Sequence, residues 1–324
     1  MSGAALAQPT GSDPLKVVDF HNHFIGKAFT PNVGVGAPAE LRSYFAEVNR
    51  KLADEGELLA SVQGGGVTTR VINTPLEFIQ DPEADVQPGM VETINDQLAA
   101  LVARNKGRLL GLATVDVYAG DAAAREVRRA VTELGLRGVF VASAKKDLLL
   151  DAPQARPALA VAAELGVPVF AHPITDPQLR QRLGRYARPG TTLNRGAVNS
   201  AALVALMESG TLDELPALRI VVSTLAIGAV LLTAGFGEGR YRSDAPALLR
   251  RHFYLDTMKL NPVLMRAAVD TLGADHVLAG TDWPIYTESN IAERLRAALA
   301  GIGLTPQQQR MIAAENALQL LHAA

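Results

Sequence analysis

The 324-residue sequence contains no cysteine. Disulfides and thiolate metal sites are therefore excluded, and any bound metal must use nitrogen and oxygen donors. Charge of one sign is also scarce in excess. A formal net charge of −2 gives no electrostatic reason to expect nucleic acid or an anionic membrane as partner. Long hydrophobic runs are missing as well. The apolar run at 220–234 is interrupted by Ser223, Thr224 and Gly228 and is too short to span a bilayer. Residues 1–14 have neither a basic start nor an apolar segment, and read as a flexible, small-residue tail. These absences leave a soluble, cytoplasmic protein as the default.

What is present is a large apolar fraction, 48%, and within it eight short runs that read as strands. They lie at 17–24, 68–72, 109–114, 138–141, 167–171, 219–223, 253–255 and 276–279, each followed by a stretch of helical periodicity. Continuous apolar runs, rather than alternating ones, are what parallel strands buried on both faces require. Eight such units predict a (β/α)₈ TIM barrel spanning 15–324 as one domain. No glycine-rich dinucleotide fingerprint follows the first run; a His-x-His pair stands there instead. One helix is expected at 40–62, loops at 30–38 and 76–88, and a long excursion at 175–199 before a helix at 201–209.

In an extended segment, residues i and i+2 point to the same side, so His21 and His23 aim at one point. Barrels of this kind carry their sites at the C-terminal ends of the strands. His172 follows strand five there, and Asp282 follows strand eight. Three imidazoles and one carboxylate suit one divalent metal with a position left for water or substrate. Zinc is the first expectation, and the donors also accept manganese or iron(II). Each residue also has a plainer explanation: His172 could be a core histidine, and Asp282 could cap the following segment. Their joint arrival at the same barrel end favours the site. His252 and His276 begin strands seven and eight, at the opposite face, and His322 suits a helix C-terminus.

The segments Val17-Val18-Asp19-Phe20-His21-Asn22-His23-Phe24, Phe170-Ala171-His172-Pro173, Gly280-Thr281-Asp282-Trp283-Pro284 and Glu315-Asn316-Ala317 resemble the amidohydrolase-related family of the amidohydrolase superfamily. That family includes aminocarboxymuconate-semialdehyde and resorcylate-type decarboxylases, together with lactone hydrolases and hydratases. The resemblance implies metal ligation by His21, His23, His172 and Asp282, with Asp282 also handling a proton, and it implies a homodimer. It also exposes a departure. The family normally carries a histidine after strand six, and Thr224 stands there. Threonine can donate a hydrogen bond but cannot titrate near neutrality, and losing a positioned acid/base commonly costs about 10²–10⁴-fold in rate.

Phe24 and Trp283 flank the ligands and are candidates for packing a substrate ring. Arg195 could clamp a substrate carboxylate through its planar fork. Asn73, Asp116, Ser143, Asp256 and Thr257 sit at strand ends, where they could line the pocket or cap loops. Lys145 and Lys146 follow strand four and could meet a substrate anion. The leading expectation is a metal-dependent hydrolase of a small carboxylate-bearing lactone, amide or enamine, because a metal hydroxide supplies its own nucleophile and needs the missing histidine least. A non-oxidative decarboxylase of a hydroxybenzoate or muconate-type acid is the alternative. A metal-binding pseudoenzyme is the third reading.

Overall fold

Eight parallel strands close into a barrel in the computed structural model, which describes residues 15–37, 39–236, 245–287 and 289–323. The expected tail at 1–14 lies outside the described residues. The strands are β1 (Val18–His23), β2 (Thr69–Asn73), β3 (Leu109–Gly111, resumed at Ala113–Thr114), β4 (Val139–Ala142), β5 (Val169–His172), β6 (Ile220–Val222), β7 (Phe253–Asp256) and β8 (Val277–Leu278). Each pairs in parallel with its sequence neighbours. The seam between β8 and β1 is closed by Phe20 N–H donating to Ala279 O and His23 N–H donating to Trp283 O, both at 2.8 Å. The expected TIM barrel is the observed fold.

Burial on both strand faces explains the unbroken apolar runs. Val18, Phe20, Val71, Leu112, Phe140, Phe170, Val221 and Leu278 fill the barrel interior. Val139, Val141, Val169, Ala171, Ile220 and Val222 face the outer helices. Ala314, Ala317 and Leu321 of the closing segment pack against the interior cluster. Asn316 ties that segment to β8, its amide donating to Ala274 O and Val277 O at 2.8 Å. His252 and His276 bond the backbone carbonyls of Leu218 and Phe253, away from the strand C-termini.

Three local expectations are corrected. The helix expected at 40–62 is two, Arg42–Leu52 and Glu55–Gly64. Asp54 interrupts it, in an extended conformation, and its carboxylate accepts from Glu57 N–H as an N-cap. The excursion at 175–199 is largely helical, in Pro177–Leu183 and Ala187–Glu208, so Arg195 projects from a helix and not from a loop. The third strand breaks at Leu112, where pairing passes from β2 to β4.

Candidate metal centre

The first strand carries an irregularity that the period of two does not foresee. Val18 and Phe20 point into the barrel, and strict alternation would turn residue 21 outward. The β1–β2 register shifts between Asp19 and Asn22, and past that bulge His21 and His23 both reach the mouth. Their Nε2 atoms lie 3.2 Å apart. His172, at the end of β5, completes a buried trio whose ligand atoms all lie within 4.8 Å of one another.

Asp282 arrives from the turn after β8, with φ +65, a left-handed conformation that Asp tolerates better than most residues. Its N–H donates to His21 O at 2.9 Å. The turn is held from below by Asp19, which accepts from Thr281 N–H at 3.0 Å and Thr281 Oγ1 at 2.6 Å. Arg70, fully buried, bonds the Asp19 carboxylate and the Asn22 side chain. Gly280 lets β8 approach closely, since a Cβ there would meet the Cβ atoms of His21 and Asp256 at 3.0 Å.

The donor set fits a divalent ion. Asp282 Oδ1 lies 3.1 Å from His23 Nε2 and 3.5 Å from His21 Nε2, yet it has no hydrogen-bond partner although buried. Ligand atoms about 2.0–2.1 Å from a shared ion sit about 3.3 Å apart in tetrahedral geometry and about 3 Å apart in octahedral geometry. These separations match a shared ion and do not choose between the two geometries. Every imidazole has its Nδ1 engaged from behind: by Asp256 Oδ2 at 2.5 Å for His21, Asn73 Oδ1 at 2.7 Å for His23, and Glu77 Oε1 at 2.8 Å for His172. An acceptor on Nδ1–H fixes the tautomer that turns the Nε2 lone pair toward the centre. His21, His23 and His172 could thus hold a divalent metal.

Burial and charge set the imidazoles apart. Burial pulls His172 well below the usual histidine range, helped by the neighbouring His23 and Arg195. Burial also lowers His23, outweighing the upward pull of the nearby Asp282 carboxylate. For His21, burial is overcome by Asp256 and then Asp282, which together hold it above that range. The rings of Phe170, Phe140 and Phe78 lie 4.9–5.2 Å from these imidazoles and make the surroundings apolar.

Of the other sequence candidates, the structure brings Arg195 to the centre, its Nη2 3.4 Å from His172 Nε2. Asn73 stands behind His23. Phe24 is buried in the apolar layer between barrel and helices, a packing position. Trp283 is 3% exposed, with its ring 5.6 Å from the Arg70 guanidinium, which seats it against the buried Arg70–Asp19 pair. Thr224 is buried at the end of β6, and its N–H donates to Asp256 Oδ1 at 2.9 Å. Lys145 pairs with Asp116 at 2.7 Å and takes no part in the cluster. Sequence reasoning missed Glu77 and Arg70. Both lie far from the histidines in sequence, and no local pattern marks them.

The chain is similar to several known proteins. A gamma-resorcylate decarboxylase of Rhodococcus jostii is 27% identical over 280 residues, 79% of this chain and 85% of that protein. A 2-amino-3-carboxymuconate-6-semialdehyde decarboxylase of Dictyostelium discoideum is 23% identical, covering 94% of this chain and 91% of its own. Among solved structures, a dihydroxybenzoic acid decarboxylase from Polaromonas sp. with bound manganese and the inhibitor 2-nitroresorcinol superposes with a TM-score of 0.80. It is 21% identical and covers 95% of this chain and 97% of that one.

The expectation of an enzyme stands, and the expectation of hydrolysis is corrected, because these relatives are decarboxylases. Thr224 in place of a histidine does not by itself separate the two reactions, because Asp282, expected from the resemblance to handle a proton, also stands at the mouth. The sequence model for the amidohydrolase family matches residues 18–323, nearly the whole chain, and the protein belongs to that family.

Proposed function

We propose that this protein is a metal-dependent, non-oxidative decarboxylase of a hydroxybenzoate-type acid. The observation that carries the reading is the orphaned Asp282 carboxylate facing three imidazoles whose Nδ1 atoms are all engaged from behind. His21, His23, His172 and Asp282 are the proposed ligands, and a divalent ion bound there supplies Lewis acidity toward the substrate's oxygens. Zinc, manganese and iron(II) all suit this donor set; manganese is the ion bound in the Polaromonas enzyme.

The chain's own residues would do the rest. Arg195, beside His172, meets the substrate carboxylate with its planar fork. The apolar surroundings of the Phe78, Phe140 and Phe170 rings favour loss of charged carboxylate as neutral carbon dioxide. The ring-to-carboxyl bond breaks, its electron pair stays on the ring carbon, and that carbon takes a proton. Glu77 and Asp256 lie behind the imidazoles, which leaves Asp282 as the carboxyl group able to carry the proton from the mouth side. Thr224 cannot titrate and serves through its backbone, holding Asp256.

The test is carbon dioxide release from a panel of hydroxybenzoates and a carboxymuconate semialdehyde by protein of measured metal content. Release stoichiometric with acid loss, abolished by chelation and restored by metal, is expected. Release from none of these acids, or a rate indifferent to complete metal removal, overturns the reading. We also propose that residues 15–324 act as one domain, located in the cytoplasm. Among the described residues no helix is long and apolar enough to cross a membrane. A homodimer is proposed too: Leu193 and Val204 on one outer helix, and Leu231 and Leu232 on the next, are exposed. A monomer mass in solution would refute it.

A further inference from the structure

Outside the imidazole cluster, segments that follow four of the strands meet in a rim of cations and aromatic rings. Tyr286 follows Asp282 by one turn, its N–H donating to Asp282 O at 3.1 Å. One ring serves two cations: the Lys259 ammonium lies 4.2 Å from its centre and the Arg188 guanidinium 5.4 Å. The same guanidinium lies 5.9 Å from the ring of Tyr44, whose hydroxyl donates to Ile285 O. Tyr44 comes from beyond β1, Arg188 from beyond β5, Lys259 from beyond β7 and Tyr286 from beyond β8.

Two features mark this rim, whose two cations are exposed and whose tyrosines are half-buried. Lys259 and Leu260 hold φ of +66 and +53, a conformation that residues with side chains seldom adopt and that persists where surrounding structure enforces it. Two like charges on one ring also repel, and among the described residues neither cation forms an ion pair with a carboxylate. The rim is electrically joined to the metal centre. Burial raises the Tyr286 hydroxyl, Asp282 raises it further, and Arg188 and Arg195 both draw it down.

We propose that Arg188 and Lys259, with the rings of Tyr44 and Tyr286, form a second anion station that selects a benzene dicarboxylate over a monocarboxylate. Arg195 takes the carboxylate at the metal centre, and the outer cations, held on the two tyrosine rings, take the other. This inference rests on the decarboxylase reading for its aromatic acid.

The test is calorimetric titration of the metal-loaded protein with isophthalate and with benzoate, two probes that differ by one carboxylate. Wild-type protein is expected to bind isophthalate about tenfold tighter, the worth of one charge-assisted contact, with the advantage shrinking as salt rises. Arg188→Gln combined with Lys259→Gln should bring the ratio to about one, while Arg125→Gln, on the outer helix Asp121–Thr132, should leave it intact. A wild-type ratio near one, a ratio unchanged in the double variant, or no binding of either probe overturns the station. If carbon dioxide release succeeds and the ratio test fails, only the station falls. If the ratio holds and no acid is decarboxylated, the station stands and the reaction assignment falls.

Discussion

Replacing Glu77 by glutamine should move metal affinity and metal-free stability in opposite directions. Glu77 lies on the short turn Leu76–Phe78 beyond β2, with Oε1 2.8 Å from His172 Nδ1. Burial raises its carboxyl to about 7, against the lowering pull of Arg195. Since the folded value lies above the unfolded one, the sign is fixed. Below pH 4.5 the group is protonated in both states and costs nothing. As pH rises from 4.5 to about 7 the unfolded chain ionises first, and folding becomes less favourable; above that window the penalty is complete. The gap corresponds to about 3 kcal/mol.

Glutamine keeps an acceptor for Nδ1–H and removes the charge. Chemical denaturation of metal-free protein at several pH values should therefore show wild type losing about 3 kcal/mol more than Glu77→Gln between pH 4.5 and 7.5. Comparing the two proteins cancels the other groups that titrate in that window. In a chelator competition, the variant should hold metal about 10–100-fold more weakly, as is typical when a partner behind a ligand is altered. A residue that merely packs would be destabilised by substitution and would leave metal affinity alone. A Glu77→Gln protein less stable than wild type without metal at pH 7.5, with unchanged metal affinity, would refute the reasoning.

Two further outcomes follow from the same geometry. Arg70→Met strands Asp19 in the core without its cation and should cost about 3–5 kcal/mol in thermal or chemical unfolding, partly recovered by adding Asp19→Asn; a loss below about 1 kcal/mol would show that the pair does not hold the Asp282 turn. Thr224→Val should change carbon dioxide release by less than about tenfold, because the backbone N–H that holds Asp256 remains; a fall of about 10²–10⁴-fold would assign the hydroxyl a proton-transfer role.

The barrel was legible because its signal is repeated. Strands such as Val169–His172 and Ile220–Val222 are buried on both faces, so each leaves a compact apolar run in the chain. The order of those runs then placed His21, His23, His172 and Asp282 at one end. What stayed hidden is what depends on long-range contact. Glu77 lies in a stretch that reads as a polar loop, 95 positions from the histidine it bonds. Arg70 sits among β-branched neighbours in β2 and gives no hint that its partner is Asp19. The β1 bulge is invisible to periodicity, and i,i+2 spacing succeeds only because the parity switch falls before His21. Hydrolysis and decarboxylation could not be separated by ligands alone, since the same donors serve both. They differ in where a proton is delivered.

Charge balance links the buried centre to its rim. With the imidazoles neutral, as metal ligation requires, and Glu77 ionised, the carboxylates of Asp282, Asp256 and Glu77 are met by the Arg195 guanidinium among the described residues, leaving two net negative charges in a buried cluster. Such a cluster is costly without an ion, and a divalent cation neutralises it. Asp19 does not change the sum, because Arg70 neutralises it. A loaded centre that is neutral overall has little long-range pull on an anionic acid, even though the ion binds oxygen at close range. Attraction at a distance must come from further out, and Arg188 and Lys259 are the cations that stand there on the ring of Tyr286. On the proposed reading, ligand chemistry and substrate capture fall to different layers of the barrel mouth. A layered design of this kind lets substitutions at the rim retune which acid is taken without disturbing the imidazoles.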